Sequence, residues 1–374
     1  MQKRSDSSEA SRWRKAVQRA VSLPRIALAL GISTVGGIIF NWLTLPLPWM
    51  LGPIVFVTVA ALLRLPIAPP APVRPYVVVV IGVMLGSGFS PAILNHLGDW
   101  LLSLGMLAVY LFVSALFVIP YYRYVGRFDP VTAYFAGTPG GLNEMTFIGR
   151  DMGGDDRRIA LAHASRIIIV VFLMAAWFRL TVDYDPAGRA SAGTPFSVIP
   201  ATDLFVLAAA GVVGFFLGLK LRLPAPTLVG PMLVSAFIHL GGVTHSPPPS
   251  ELIVVAQIFL GTIVGCRFVG VRPGLIGRSI LLSLGATLIM LSITMLFAVS
   301  FHAWFGQSLE QVLLAYAPGG LAEMSLVALA MNAEIAYVAV HHMVRITLVV
   351  AAAPVAFTLL KRWKRKKASD GDTE

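Results

Sequence analysis

Long runs of apolar residues, separated by short polar segments, follow one another along most of the 374-residue chain. Runs of about 20 apolar residues with few charges match the thickness of a bilayer core. The alternation of apolar and polar positions that is typical of membrane barrel strands does not occur in them. The pattern therefore predicts an all-α, polytopic transmembrane protein. Eight membrane helices are predicted, at 25–43, 47–64, 76–93, 100–122, 203–220, 224–240, 252–268 and 279–300.

Two further apolar segments follow each group of four helices, at 130–148 and 159–180 and at 309–331 and 335–360. A Pro-Gly-Gly sequence lies in the middle of 130–148 and of 309–331. Proline removes a backbone donor, and glycine permits a sharp reversal with unusual dihedral angles. About ten residues on each side reach about 15 Å, half of a core about 30 Å thick. We therefore expect two re-entrant hairpins, with a kinked spanning helix as the alternative.

The chain consists of two copies of one unit, because four motifs recur in the same order. "LPLPWMLGP" from residue 45 matches "LPAPTLVGP" from residue 223, and "IGVMLGSGF" from residue 81 matches "LGTIVGCRF" from residue 260. "PGGLNEM" and "HASRI" in the first copy match "PGGLAEM" and "HMVRI" in the second. The predicted organisation is a basic tail at 1–24, membrane repeat 1 at 25–180, a linker at 181–202, membrane repeat 2 at 203–360 and a basic tail at 361–374.

The basic residues of the loops predict how the copies are oriented, because Lys and Arg are retained on the cytoplasmic side. In repeat 1 the loops after the second and fourth helices are basic, whereas in repeat 2 the loops after the first and third are basic. We therefore expect two inverted repeats of five transmembrane helices, each with one re-entrant hairpin and with both termini cytoplasmic. The basic loop residues are Arg64, Arg74, Arg123, Arg127, Lys220, Arg222, Arg267, Arg272 and Arg278.

Composition excludes a soluble domain, since 57% of the residues are hydrophobic, 13% are charged and the mean hydropathy is +0.79. The formal net charge is +11, and most of it lies in the two tails. Basic tails beside membrane helices are typical of segments that face anionic lipid in the cytoplasm; a nucleic-acid-binding arm is the alternative. We expect the lipid bilayer as a partner, no nucleic acid, and a bacterial-type inner membrane as the location. A homodimer is compatible with the sequence.

Several ionisable residues fall at membrane depth, where each costs about 2.5–3.5 kcal/mol on insertion scales and by default indicates function. His163 and Arg166 share one helical face. A helix that starts after Pro-Gly-Gly favours an anion at its N-terminus, and glutamates or histidines could carry a coupling proton. Inverted symmetry should bring both sets to one central site. The candidate substrate or coupling residues are Pro139, Gly140, Gly141, Glu144, His163, Arg166, Pro318, Gly319, Gly320, Glu323, His342 and Arg345.

A purely architectural role for these charges is the alternative. Glu144–Arg166 and Glu323–Arg345 ion pairs could simply fasten each hairpin to the following helix. The spacings Gly82/Gly86 and Gly261/Gly265 favour helix packing over a site. Seven scattered histidines form no cluster with metal-ligand spacing, and no catalytic triad or nucleotide-binding loop occurs. We expect no metal, no cofactor and no enzymatic activity.

The paired motifs "PGGLNEM…HASRI" and "PGGLAEM…HMVRI" resemble those of the AbrB family of membrane proteins, in which this half is duplicated. The likeness covers nearly the whole chain. Its layout is similar to that of inverted-repeat secondary transporters, and members have been labelled as regulators of gene expression or as ammonia monooxygenases. The resemblance does not imply a substrate. From the layout and the candidate residues together we expect a secondary transporter of a small anionic or zwitterionic solute, with coupling to protons through the glutamates or histidines as an option. A membrane-embedded regulator that senses a ligand is the alternative, and a membrane oxidase is a third.

Overall fold

Helices make up the regular structure of the part that the computed structural model describes, residues 23–91, 93, 97–181, 194–271, 273–331 and 333–371. The all-α prediction is confirmed. The first half contains α1 (Leu23–Trp42), α2 (Pro48–Leu62), α3 (Arg74–Ser87), α4 (Leu97–Pro120), α5 (Pro130–Gly137), α6 (Leu142–Asp151) and α7 (Asp156–Thr181). The second half contains α8 (Ala201–Lys220), α9 (Pro226–Leu240), α10 (Ser250–Gly265), α11 (Pro273–Phe301), α12 (Leu309–Tyr316), α13 (Leu321–Ala330) and α14 (Ile335–Gly371).

The two halves share one order of long and short helices. In each half a 20-residue helix and a 15-residue helix come first, and helices of 8 and 10 residues precede the last long helix. The predicted segments 130–148 and 309–331 are therefore each two short helices with a break between them. The predicted linker, 181–202, lies largely outside the described residues.

Seven of the described helices are long and apolar enough to cross a membrane, which makes the protein a multi-pass membrane protein. They are α1, α4, α7, α8, α10, α11 and α14. Three of the predicted spanning helices, α2, α3 and α9, have only 14 or 15 residues. At 1.5 Å per residue they reach about 22 Å, less than a bilayer core of about 30 Å.

Local sequence signals account for where the helices begin. Asp129 caps α5, because its carboxylate accepts hydrogen bonds from the backbone N–H groups of Val131 and Thr132. Burial raises the pKa of the Asp129 carboxyl, but hydrogen bonds from Thr132 and these N–H groups outweigh it, so the pKa lies below its usual range. Ser308 caps α12 in the same way, by accepting from the N–H of Gln311.

The last helix is longer than predicted. α14 continues to Gly371, so part of the segment 361–374, predicted as a basic tail beyond the last apolar segment, is helical. Lysine and arginine are good helix formers, and basic side chains near a helix C-terminus interact favourably with the helix dipole. The N-terminal tail, 1–24, lies almost entirely outside the described residues.

Glycines allow helices of the two halves to pack closely. A Cβ added to Gly82 of α3 would lie 2.5 Å from the Leu228 carbonyl oxygen of α9. A Cβ added to Gly261 of α10 would lie 2.7 Å from the Met50 carbonyl oxygen of α2. Gly82 and Gly261 occupy equivalent positions in the two halves, and each allows its helix to pack closely against a helix of the other half. The packing role predicted for these glycines is confirmed.

Candidate functional site

The Pro-Gly-Gly segments form extended breaks between the paired short helices. Thr138 and Gly141, at the two ends of the first break, have φ/ψ of −79°/125° and −67°/139°. Gly320, at the end of the second, has −82°/154°. The positive φ angles among the described glycines occur elsewhere, at Gly153, Gly242, Gly270 and Gly306. The expectation that the tips need unusual dihedral angles is therefore wrong.

Close packing explains the tip glycines instead. A Cβ on Gly140, next to Pro139, would lie 2.7 Å from Met145 Cγ and 2.8 Å from Val349 Cγ1. A Cβ on Gly319, next to Pro318, would lie 2.5 Å from Met324 Cγ. Glycine is needed at these positions because neighbouring side chains fill the space beside the break.

In each half, the histidine of the repeated motif donates to a backbone carbonyl near the end of the first of the two short helices. His163 of α7 places Nε2 2.9 Å from the Phe135 carbonyl oxygen of α5, and His342 of α14 places Nε2 3.0 Å from the Leu314 carbonyl oxygen of α12. A carbonyl only accepts, so Nε2 donates in both histidines. Nδ1 then carries the lone pair, and it is buried without a protein partner among the described residues.

Both arginines of the motif bind backbone carbonyls of the breaks. Arg166 donates from Nη2 to the Gly140 carbonyl oxygen at 3.3 Å. Arg345 donates from Nη1 to the Ala317 carbonyl oxygen and from Nη2 to the Gly319 carbonyl oxygen. These carbonyls have no partner within their own helices because each helix is interrupted. The arginines therefore stabilise the breaks, and Arg345 does so with one bond more than Arg166.

The two arginines are buried without a carboxylate partner. Their exposed fractions are 3% for Arg166 and 1% for Arg345. The ion pairs of the described residues involve other arginines, Arg150 and Arg158. Arg166 Nε and Nη1 and Arg345 Nε have no hydrogen-bond partner among the described residues. Two buried positive charges and three unused donors thus lie on the corresponding helices α7 and α14.

Neither Glu144–Arg166 nor Glu323–Arg345, the ion pairs considered as an alternative, is among the ion pairs of the described residues. The Glu144 side chain folds over Gly141, which precedes α6, and the Glu323 side chain folds over Gly320, which precedes α13. A carboxylate at the third position of a helix is stabilised by the free N–H groups and by the helix dipole. The helix N-termini expected to attract an anionic ligand therefore already face a carboxylate of the protein.

Sequence reasoning missed a buried polar cluster between the two halves. The Ser103 hydroxyl lies 2.5 Å from the Tyr337 hydroxyl and 2.8 Å from His341 Nε2. The Tyr316 hydroxyl donates to the Ser103 carbonyl oxygen at 2.6 Å. The cluster joins α4 to α12 and α14. The one signal of this cluster in the sequence is the position of His341 beside His342.

Metal-binding potential is absent from the part of the chain that the structure describes: no group of three or more His, Cys, Asp or Glu residues could hold an ion there. Cys266 is buried and free. The histidines near the breaks use Nε2 for backbone carbonyls.

Comparison with known proteins identifies the family. The family model described as "Transition state regulatory protein AbrB" matches residues 49–361. The chain is 27% identical over 357 residues to "Uncharacterized protein YhjN" of Bacillus subtilis (strain 168), covering 88% of this chain and 92% of the relative. It is 24% identical over 299 residues to "Putative regulator AbrB" of Escherichia coli (strain K12), covering 78% and 83%. The resemblance found in the repeated motifs is confirmed, and the chain belongs to the AbrB family of membrane proteins.

Proposed function

We propose that the protein is a secondary transporter of a small anionic or zwitterionic solute, bound between the two broken helices. The observation that carries the proposal is the pair of buried arginines, Arg166 and Arg345, which have no carboxylate partner among the described residues. Carrier function rather than catalysis suits a site that offers hydrogen-bond donors and fixed charge but no nucleophile paired with a base.

The electrostatics of this pair favour an anion as the ligand. A buried charge without a compensating partner is strongly unfavourable, and carbonyl dipoles compensate a guanidinium only in part. A carboxylate placed between the two guanidinium groups would offset their charge and accept bonds from the unused Nε and Nη1 atoms. A cation would add to the buried positive charge.

Hydrogen bonds between the arms support the re-entrant hairpins. The backbone N–H of Asp155, after α6, donates to the Thr132 hydroxyl of α5 at 2.8 Å. Gln311 Nε2 of α12 donates to the Glu334 carboxylate, after α13, at 2.9 Å. Each broken segment thus begins and ends at one place, as expected of a hairpin that enters and leaves on one side. The kinked spanning helix would separate these residues by the membrane thickness.

Contacts at the two ends of the bundle support the inverted arrangement. At one end, the N–H of Ala68, which follows α2, donates to the Arg25 carbonyl of α1. At the same end, Arg74 of α3 lies near Arg267, which follows α10. At the start of α10, Thr244 donates to Asp203 of α8 at 2.8 Å. Because α10 separates these two groups, the contacts support an arrangement in which the equivalent helices α1 and α8 start at opposite ends of the bundle.

The basic end of the bundle is proposed to face the cytoplasm of a bacterial-type inner membrane. With five crossings in each repeat, the short helices α2, α3 and α9 would complete ten spans. Their length then requires a locally thin membrane or protein cover at their ends. Arginines at this end include Arg25 and Arg64, which line one groove, and Arg74 and Arg267.

Alternating access would follow from rocking one repeat against the other around the arginine pair. Gly82 and Gly261 have no side chains that would interlock with the facing helices, so those helices could slide past each other during such motion. His163 and His342 each keep a buried Nδ1 without a protein partner, and this atom is available for a coupling proton. We propose that proton and anion enter together, since their charges offset each other.

A membrane-embedded regulator is the second candidate, favoured by the printed name of the Escherichia coli relative. Such a protein would bind the same class of ligand at the arginine pair but would not move it across the membrane. Binding and transport therefore have to be measured separately.

A ligand-stabilisation screen on purified protein tests the proposed site. Small carboxylates, amino acids and inorganic anions are compared with amines and metal cations by the shift in melting temperature. We expect one class of anion to stabilise the wild type and to lose its effect in Arg166→Gln. Stabilisation by cations alone, or an unchanged anion effect in Arg166→Gln, would contradict the proposal.

A further inference from the structure

A groove of about 450 Å³ opens at the basic end of the bundle, far in sequence from the arginine pair. It is bounded by the start of α1, the end of α2 and the segment that follows α10. Arg25 and Arg64 provide its charged walls, and Ala61 and Leu65 provide part of its apolar wall. The backbone of Val269–Val271 closes the opposite side.

The two arginines of the groove are free to bind a ligand. Both side chains are exposed, and neither takes part in an ion pair among the described residues. Arg64 is fixed just beyond α2, where its backbone adopts a left-handed conformation with φ 59° and its N–H donates to the Ala61 carbonyl. The backbone position of Arg64 is thus fixed, and a guanidinium is well suited to a phosphate, which accepts bonds from two N–H groups at once.

The surroundings of the groove indicate a lipid rather than a soluble phosphate. Leu23, beside Arg25, is 82% exposed, and Leu63, beside Arg64, is 68% exposed. In a multi-pass membrane protein such leucines face lipid acyl chains. The groove therefore lies where the basic rim of the protein meets its apolar belt, the level of lipid headgroups.

We propose that this groove binds the phosphate of an anionic phospholipid, with Arg25 and Arg64 as the ligands and the neighbouring leucines against its acyl chains. Basic pockets between membrane helices on the cytoplasmic side are suited to anionic headgroups. The site does not depend on transport, so it goes beyond the proposed function.

The test uses the full chain purified in a neutral detergent. Binding of phosphatidylglycerol, phosphatidylcholine and inorganic phosphate is measured by native mass spectrometry and by the shift in melting temperature. The test variant is Arg25→Gln/Arg64→Gln. The matched control is Lys220→Gln/Arg222→Gln, which removes the same charge from exposed residues outside the groove. The single variants Arg25→Gln and Arg64→Gln are used if the double variant does not fold.

We expect phosphatidylglycerol to bind the wild type and the control, and to bind the double variant about 30-fold more weakly. Each single variant should lose about 5-fold. Equal binding of phosphatidylcholine, or full binding of phosphatidylglycerol by the double or single variants, would overturn the proposal. Binding of inorganic phosphate as tight as that of the lipid would overturn the assignment to a lipid.

Discussion

Arg166 and Arg345 both donate to backbone carbonyls of the Pro-Gly-Gly segments that interrupt the helices, but they make different numbers of hydrogen bonds. Arg166 donates to one carbonyl, that of Gly140, and leaves Nε and Nη1 unused. Arg345 donates to two carbonyls, those of Ala317 and Gly319, and leaves only Nε unused. The first break thus has more free donors, and the second is held more firmly.

Replacing each arginine by lysine should separate these roles. Lysine keeps the charge but loses the planar fork. Arg345→Lys should lower the melting temperature more than Arg166→Lys, because each lost bond to a charged group costs about 1.5–3 kcal/mol. Arg166→Lys should weaken anion binding more. Melting temperatures with and without anion measure both effects, and identical behaviour of the two variants would contradict the unequal roles.

Glu144 and Arg166 should be energetically independent. The Glu144 side chain folds over Gly141 and takes no part in an ion pair with Arg166. We expect the effects of Glu144→Gln and Arg166→Gln on the free energy of unfolding to add within about 0.5 kcal/mol in the double variant. Rescue of Arg166→Gln by Glu144→Gln would instead show the architectural ion pair considered from the sequence.

Gly86 should be intolerant of even a methyl group. A Cβ there would meet Ser235 and the Met232 backbone of α9, whereas a Cβ on Gly105 of α4 has nothing within 4 Å. We expect Gly86→Ala to destabilise the protein by about 1–3 kcal/mol, as overpacking does. Gly105→Ala is the matched control and should leave the melting temperature unchanged. Equal stability of the two variants would argue against close packing of α3 on α9.

Cysteine labelling should place corresponding loops on opposite sides of the membrane. In a Cys266→Ala background, Arg64→Cys lies after α2 and His245→Cys lies after α9, and both native side chains are exposed. A membrane-impermeant thiol reagent should label only Arg64→Cys from the cytoplasmic side and only His245→Cys from the other. Labelling of both from the same side would show that the repeats are parallel.

Much of the fold could be predicted from the sequence because membrane helices have strong signals. Length and apolarity located α1, α4, α8 and α11 to within a few residues, except that α11 starts six residues before the predicted 279. The continuation of α14 to Gly371 could not be predicted, because the same basic residues suit a helix or a solvated tail.

The sequence predicted which residues form the candidate site, but it did not predict which groups they contact. Repetition at an offset of 179 residues identified His163, Arg166 and their counterparts without any knowledge of geometry. Their partners are backbone carbonyls. Every residue type has a backbone carbonyl, so the sequence does not indicate which one is bound. The apparent pairing of Glu144 with Arg166 failed for the same reason. The cluster around Ser103 and His341 joins residues of the two repeats that are more than 200 positions apart, so no local pattern indicates it.

Uptake by the protein in liposomes tests the central claim most directly. Wild type, Arg166→Gln and Arg345→Gln are reconstituted in parallel, and movement of the anion that stabilises the wild type is followed by counterflow, with a cation of similar size as the control. We predict anion uptake by the wild type, loss of uptake in Arg166→Gln and no movement of the cation. Binding of the anion without counterflow would instead favour the ligand-sensing regulator, and uptake that persists in Arg166→Gln would contradict an anion site at the buried arginines.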